Sequence, residues 1–137
     1  MPKMIFVNLP VTDLERSVAF YEAIGAVKNP QFSDDTAASM VISETIFVML
    51  LTHPKFSSFT PKKIIDAHSD VQALLALTVD SRAEVEGMLA KAKAAGSALD
   101  PTPVQDHGFM YGRSFEDPDG HIWEIFWMDP SAVAGQG

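Results

Sequence analysis

The chain contains no cysteine, so disulfides, thiolate nucleophiles and thiolate-ligated metal sites are excluded at the outset. It also lacks a long apolar run. The longest, Ile46 to Leu51, falls far short of the roughly 18 residues that would cross a bilayer. Basic residues are scarce, ten Lys and Arg against 18 Asp and Glu for a net charge of -8, and they form no block. This composition excludes a nucleic-acid footprint and an anionic-membrane surface, and leaves small-molecule chemistry or a protein partner. The start, Met1-Pro2-Lys3-Met4, shows no signal-peptide pattern, so a cytoplasmic protein is the expectation.

What is present suffices for one compact domain, because 137 residues at 47% hydrophobic content can bury a core. The organising signal is an internal repeat. Ile5 to Val11 reads as a strand, followed by Thr12-Asp13-Leu14-Glu15 and an amphipathic stretch ending at Gly25. Ala73 to Val79, then Ser81-Arg82-Ala83-Glu84 and a stretch ending at Gly96, repeat the pattern. Thr12 with Glu15, and Ser81 with Glu84, have capping-box spacing, and a glycine follows each helix. Leu14, Val18, Tyr21 and Ile24 recur at helical spacing, as do Val85, Leu89, Ala92 and Ala95, so one face of each helix should pack on a sheet.

Strand-like segments follow each helix: 27–32, 37–42 and 46–51 in the first half, then 102–105, 110–115 and 121–128 in the second. The linker 53–70 is expected to hold a short helix near 62–67, and the tail 131–137 to fray. The fold expected is α+β, one domain over 1–130 with module 1 at about 4–52 and module 2 at about 71–129.

Glu124 is the residue that most needs explaining. It lies within Ile122-Trp123-Glu124-Ile125-Phe126-Trp127, just after the turn Asp117-Pro118-Asp119-Gly120. Burying a carboxylate among such residues costs several kcal/mol unless a partner, a metal or a proton compensates it. With a three-residue loop and Gly120 left-handed, Ser114 faces Glu124 as a hydrogen-bond donor; a loop one residue longer puts Arg113 there instead. The Pro-Asp-Gly sequence favours the first register, in which Trp123 and Trp127 point away from Glu124 and under the helices.

The βαβββ repeat, the segment Val11-Thr12-Asp13-Leu14-Glu15-Arg16-Ser17-Val18-Ala19-Phe20-Tyr21 and the closing Phe115-Glu116-Asp117-Pro118-Asp119-Gly120-His121-Ile122-Trp123-Glu124 resemble the glyoxalase, bleomycin-resistance and extradiol-dioxygenase superfamily, also called vicinal oxygen chelate proteins. The segment Asp106 to Arg113 is similar to a bacterial subgroup of predicted lactoylglutathione lyases. The resemblance implies two βαβββ modules forming a cup-shaped mixed sheet with helices outside, and a homodimer. In metal-dependent members each module supplies a ligand from its first strand and one from its last. Those positions fall here on Phe6, Met49, Leu74 and Glu124, of which Glu124 alone is a hard donor. No cofactor is therefore expected, although a degenerate site recruiting a divalent metal is the alternative.

The cup is expected to be lined by Phe6, Asn8, Met49, Leu74, Ser114 and Phe126 around Glu124, with His107 at its mouth as a donor or proton shuttle. His53 and His68 read as linker residues, and His121 as a strand-entry residue. Two functions fit. One is metal-independent binding of a small, partly apolar molecule, as in the resistance proteins. The other is a lyase or isomerase of the lactoylglutathione lyase type, or a dioxygenase, with Glu124 as base or as part of a degenerate metal site.

Overall fold

A computed structural model describes residues 2–134, which divide into two compact units between Asp66 and Ala67. Each unit is a βαβββ module, as the repeat predicts. In the first, β1 (Ile5–Val11), α1 (Leu14–Ala23), β2 (Val27–Asn29), β3 (Ala37–Val41) and β4 (Ile46–Thr52) give a four-stranded mixed sheet in the order β1-β4-β3-β2, with α1 packed on the two inner strands and the edge strand β2. A five-residue helix, α2 (His53–Ser57), follows. In the second, β5 (Leu74–Thr78), α3 (Arg82–Ala94), β6 (Gln105–Asp106), β7 (Met110–Glu116) and β8 (Ile122–Met128) repeat the plan in the order β5-β8-β7-β6. The first strand of each module pairs in parallel with the last, and the other pairings are antiparallel. No helix among the described residues is long and apolar enough to cross a membrane.

Alternation divides each sheet into a covered and an open face. In the first unit Leu9, Val11, Val48 and Leu50 are buried with Phe20 and Tyr21 of α1. In the second, Phe115, Trp123 and Ile125 are buried with Val85, Leu89 and Ala92 of α3, whereas Leu74, Ala76 and Thr78 of β5 are exposed. Glu124 and Phe126 alternate with Trp123 and Ile125, which puts them on the open face.

Several local expectations change. Asp13, not Thr12, caps α1, accepting from the Arg16 N–H at 3.1 Å, so the capped first-turn donor lies one residue beyond the one that the Thr12–Glu15 spacing implied. Ser81 caps α3 as predicted, and Glu84 reaches back to the Asp80 N–H. Ser17 and Phe20 share the buried face of α1 with Tyr21, while Leu14, Val18 and Ile24 lie at its margin and Ala95 of the second helix is exposed. Segment 27–32 stops being a strand at Asn29, whose side chain caps a 3₁₀ turn opened by Pro30. The linker helix forms at His53–Ser57 rather than 62–67, because Pro54 suits a first helical turn. Strand β6 starts at Gln105 rather than Thr102, since Pro101 and Pro103 have no N–H for a ladder. At the end of the chain, Asp129 caps the short helix α4 (Pro130–Ala134) where fraying was expected; residues 135–137 lie outside those described.

Candidate functional site

The site is built on the hairpin β7–β8. The Asp117 backbone N–H donates to the His121 carbonyl at 2.9 Å, and the Asp117 carboxylate accepts from the N–H groups of Asp119 and His121 at 3.0 and 2.9 Å. Gly120 has φ +91°, and the resulting register sets Ser114 opposite Glu124 and Gly112 opposite Phe126, the first of the two alternatives. Arg113 lies opposite Ile125. Its guanidinium is bidentate to Asp100, at 3.1 and 2.7 Å, and reaches Glu86 at 2.8 Å with its remaining nitrogen. All three nitrogens are thus engaged, and the ion pair between Arg113 and Glu124 that the longer loop implied does not form.

On the open face Glu124 and Phe126 line a cavity of about 190 Å³ with Ala76, Thr102, Pro103, Gln105, Met110, Gly112 and Arg113. Gly112 keeps it open, since a Cβ there would stand 3.1 Å from the Phe126 Cβ. Glu124 is half-buried and accepts a hydrogen bond from the Thr102 hydroxyl at 3.4 Å.

Ser114 does not donate to Glu124 directly, contrary to expectation. It is fully buried beneath segment 99–102, which crosses this end of the sheet through Leu99 opposite Phe115 and the Asp100 N–H to the Ser114 carbonyl. The Ser114 hydroxyl accepts from the Thr102 N–H at 3.1 Å and shares a 2.7 Å hydrogen bond with the Thr102 hydroxyl. Thr102 has one hydroxyl proton. The arrangement that also serves Glu124 has Ser114 donating to Thr102 and Thr102 donating to the carboxylate.

The other anticipated lining residues are dispersed. Leu74 is 50% exposed opposite Ile122 and outside the cavity lining; Ala76 is the ladder partner of Glu124. In the first unit Asn8 lines a separate cavity of about 310 Å³ with Leu51, Phe56, Phe59 and Thr60. Phe6 stacks on Phe47 with ring centroids 4.6 Å apart, and Met49 pairs with Asn8 in the ladder; neither lines that cavity. His107 is exposed, with Nε2 2.9 Å from the side-chain oxygen of Gln105, so it reaches the second-unit cavity only through that residue.

The segment carrying Gln105 and His107 is tied to the start of α3. Arg82 is bidentate to Asp106 at 3.3 and 2.9 Å, donates to the Gly108 carbonyl at 3.1 Å, and lies over the rings of Tyr111 and Trp127. Thr102, Gln105 and Met110 were not anticipated from sequence. The signal available for Thr102 was its place in Pro101-Thr102-Pro103, where the flanking residues bar a regular ladder and leave a side chain to bond elsewhere.

The donor chemistry does not suit a divalent cation. Phe6 and Leu74 have no donor atom, Met49 has a weak thioether, and the described residues hold no group of three or more His, Asp or Glu placed to bind a metal.

Electrostatics on the covered face give a pH prediction. The hydrogen bonds from Arg113 hold the Asp100 carboxyl below its ordinary value of 3.8, against the opposing effect of burial. A carboxyl with a lowered folded pKa contributes stability that is fully present above the unfolded value and lost as pH falls through the folded one. Denaturant titrations of the parent and Asp100→Asn should therefore differ most above about pH 4 and converge below it.

The family model of the Glyoxalase/Bleomycin resistance protein/Dioxygenase superfamily matches residues 3–125. Among solved structures, a hypothetical protein from S. aureus is 29% identical with a TM-score of 0.75, over 93% of this chain and 95% of that one. The fosfomycin resistance protein FosX from Mesorhizobium loti is 15% identical, TM-score 0.69, over 98% of both chains. TnmS3, an antibiotic binding protein from Streptomyces sp. CB03234, is 19% identical, TM-score 0.65, over 93% and 97%. No curated protein matches the sequence. With the repeat, the two modules and the matched span in agreement, the chain belongs to the glyoxalase/bleomycin resistance protein/dioxygenase superfamily.

Proposed function

We propose that the protein binds a small, partly apolar molecule in the second-unit cavity, with Glu124 as its polar anchor and no metal ion. The observation that carries this is a half-buried carboxylate at an apolar cavity, held only by a long hydrogen bond from Thr102 and with no Lys or Arg paired to it among the described residues. A few polar groups in a mostly apolar concavity is the usual makeup of a ligand site. The names of FosX and TnmS3, a resistance protein and an antibiotic binding protein on this fold, support a binding role. A cytoplasmic homodimer is part of the same proposal, by analogy with the superfamily.

The test is a thermal-shift screen of ring-sized apolar compounds against the full chain in EDTA. At ten times its Kd a ligand should stabilise the protein by about 1.4 kcal/mol. That gain should vanish in Ala76→Phe, which fills the cavity from an exposed strand position. Binding that requires added zinc, nickel or iron would instead favour the metal-dependent lyase or dioxygenase, and turnover abolished in Glu124→Gln with affinity retained would make Glu124 a general base.

A further inference from the structure

Three features fix what the cavity can hold, given that it is the ligand site proposed above. The first is charge. Among the described residues Glu124 accepts a single hydrogen bond, at 3.4 Å, whereas an ionised carboxylate can accept about four. The basic residue lining the same cavity, Arg113, is committed on all three nitrogens to Asp100 and Glu86. Glu124 therefore brings a carboxylate with no Lys or Arg paired to it among the described residues to a mostly apolar wall, and an ammonium adds the attraction of an opposite charge to the hydrogen bond that a neutral donor would make there.

The second is size. A cavity of about 150 Å³ accommodates benzene. One of about 190 Å³ has room for a single six-membered ring and a short arm. The third is the wall, where Phe126, Met110, Pro103 and Ala76 are apolar. Phe126 offers a ring face, and the thioether of Met110 adapts to an aromatic edge. The net charge of -8 further enriches cations and repels anions near the protein.

We infer that the ligand class is a compact arylalkylammonium ion, its ring against Phe126 and Met110 and its ammonium on Glu124. The ammonium donates to the Glu124 oxygens while Thr102 keeps its own hydrogen bond to the carboxylate, so no protein contact has to break on binding.

Isothermal titration of the full chain with phenethylamine, 2-phenylethanol and phenylacetate tests it, since the three share ring and arm and differ in charge. Phenethylamine should bind at least about tenfold more tightly than the alcohol, and phenylacetate should not bind. In Glu124→Gln the amine should fall to the affinity of the alcohol. Equal affinities for amine and alcohol in the parent protein would overturn the ammonium assignment while leaving the ligand site intact, and this comparison needs no variant to fold. Amine affinity undiminished in a folded Glu124→Gln would overturn it as well. If none of the three binds the parent protein, the inference falls together with a single-ring ligand, and the ligand site itself then stands or falls on the wider thermal-shift screen.

Discussion

Gly120→Ala should cost about 3 kcal/mol of stability and lower Tm by about 10 °C. Gly120 sits at φ +91°, where a side chain is strained, and an added Cβ would stand 2.7 Å from the Ala67 carbonyl carbon and the His68 nitrogen. The left-handed backbone alone costs an alanine about 1–2 kcal/mol, and forcing the packed neighbour apart adds about as much. Gly87→Ala is the matched control. On the surface of α3 nothing lies within 4 Å of the new methyl, so the same substitution should stabilise by about 0.5–1 kcal/mol. Equal effects at both positions in urea denaturation would contradict the account. The consequence reaches the site, because the turn at Gly120 sets the register of β8. A slip of one residue would exchange Glu124 with the faces of Trp123 or Ile125 and carry the carboxylate into the core.

Arg113→Met should cost about 2 kcal/mol and leave ligand affinity within about twofold. The Arg113 side chain is only 20% exposed, and its guanidinium satisfies Asp100, whose backbone is held at φ 58° beside Pro101. Removing it leaves a largely covered carboxylate unpaired in a conformation that few residues other than glycine adopt. The loss should shrink below about pH 4, where Asp100 is protonated in the variant and its contribution is being lost in the parent. A large change in ligand affinity without the stability loss would mean that Arg113 serves Glu124 after all.

Most of the fold was legible because it rests on local signals. Period-2 and period-3.6 patterning marked β1, β4, β7, β8 and both long helices, and Pro118-Asp119-Gly120 fixed the hairpin register that aims Glu124 at the open face. What escaped depends on competition or on long-range contact. Thr12 and Asp13 both suit an N-cap, and spacing alone does not choose between them. Ser114 was placed correctly opposite Glu124, yet its hydroxyl is taken by Thr102, twelve residues earlier in the chain, through a crossing that no periodicity reveals. The apolar residues Phe6, Met49 and Leu74 were located as the first-strand and last-strand positions that the family resemblance marks. A place in a strand identifies a face; whether a cavity opens there depends on what covers it, and here the cavity opens at the anticipated Phe126 but with Ala76 and Met110 beside it.

The central claim is that Glu124 anchors a ligand in the second-unit cavity without a metal. Backbone amide chemical-shift mapping of the full chain in EDTA, titrated with the strongest compound from the screen, tests it most directly. The account predicts saturable shifts concentrated at Ala76, Thr102, Gly112, Glu124 and Phe126, unchanged when the chelator is replaced by zinc. Shifts that appear only with added divalent cation, or that leave these residues untouched, would contradict it.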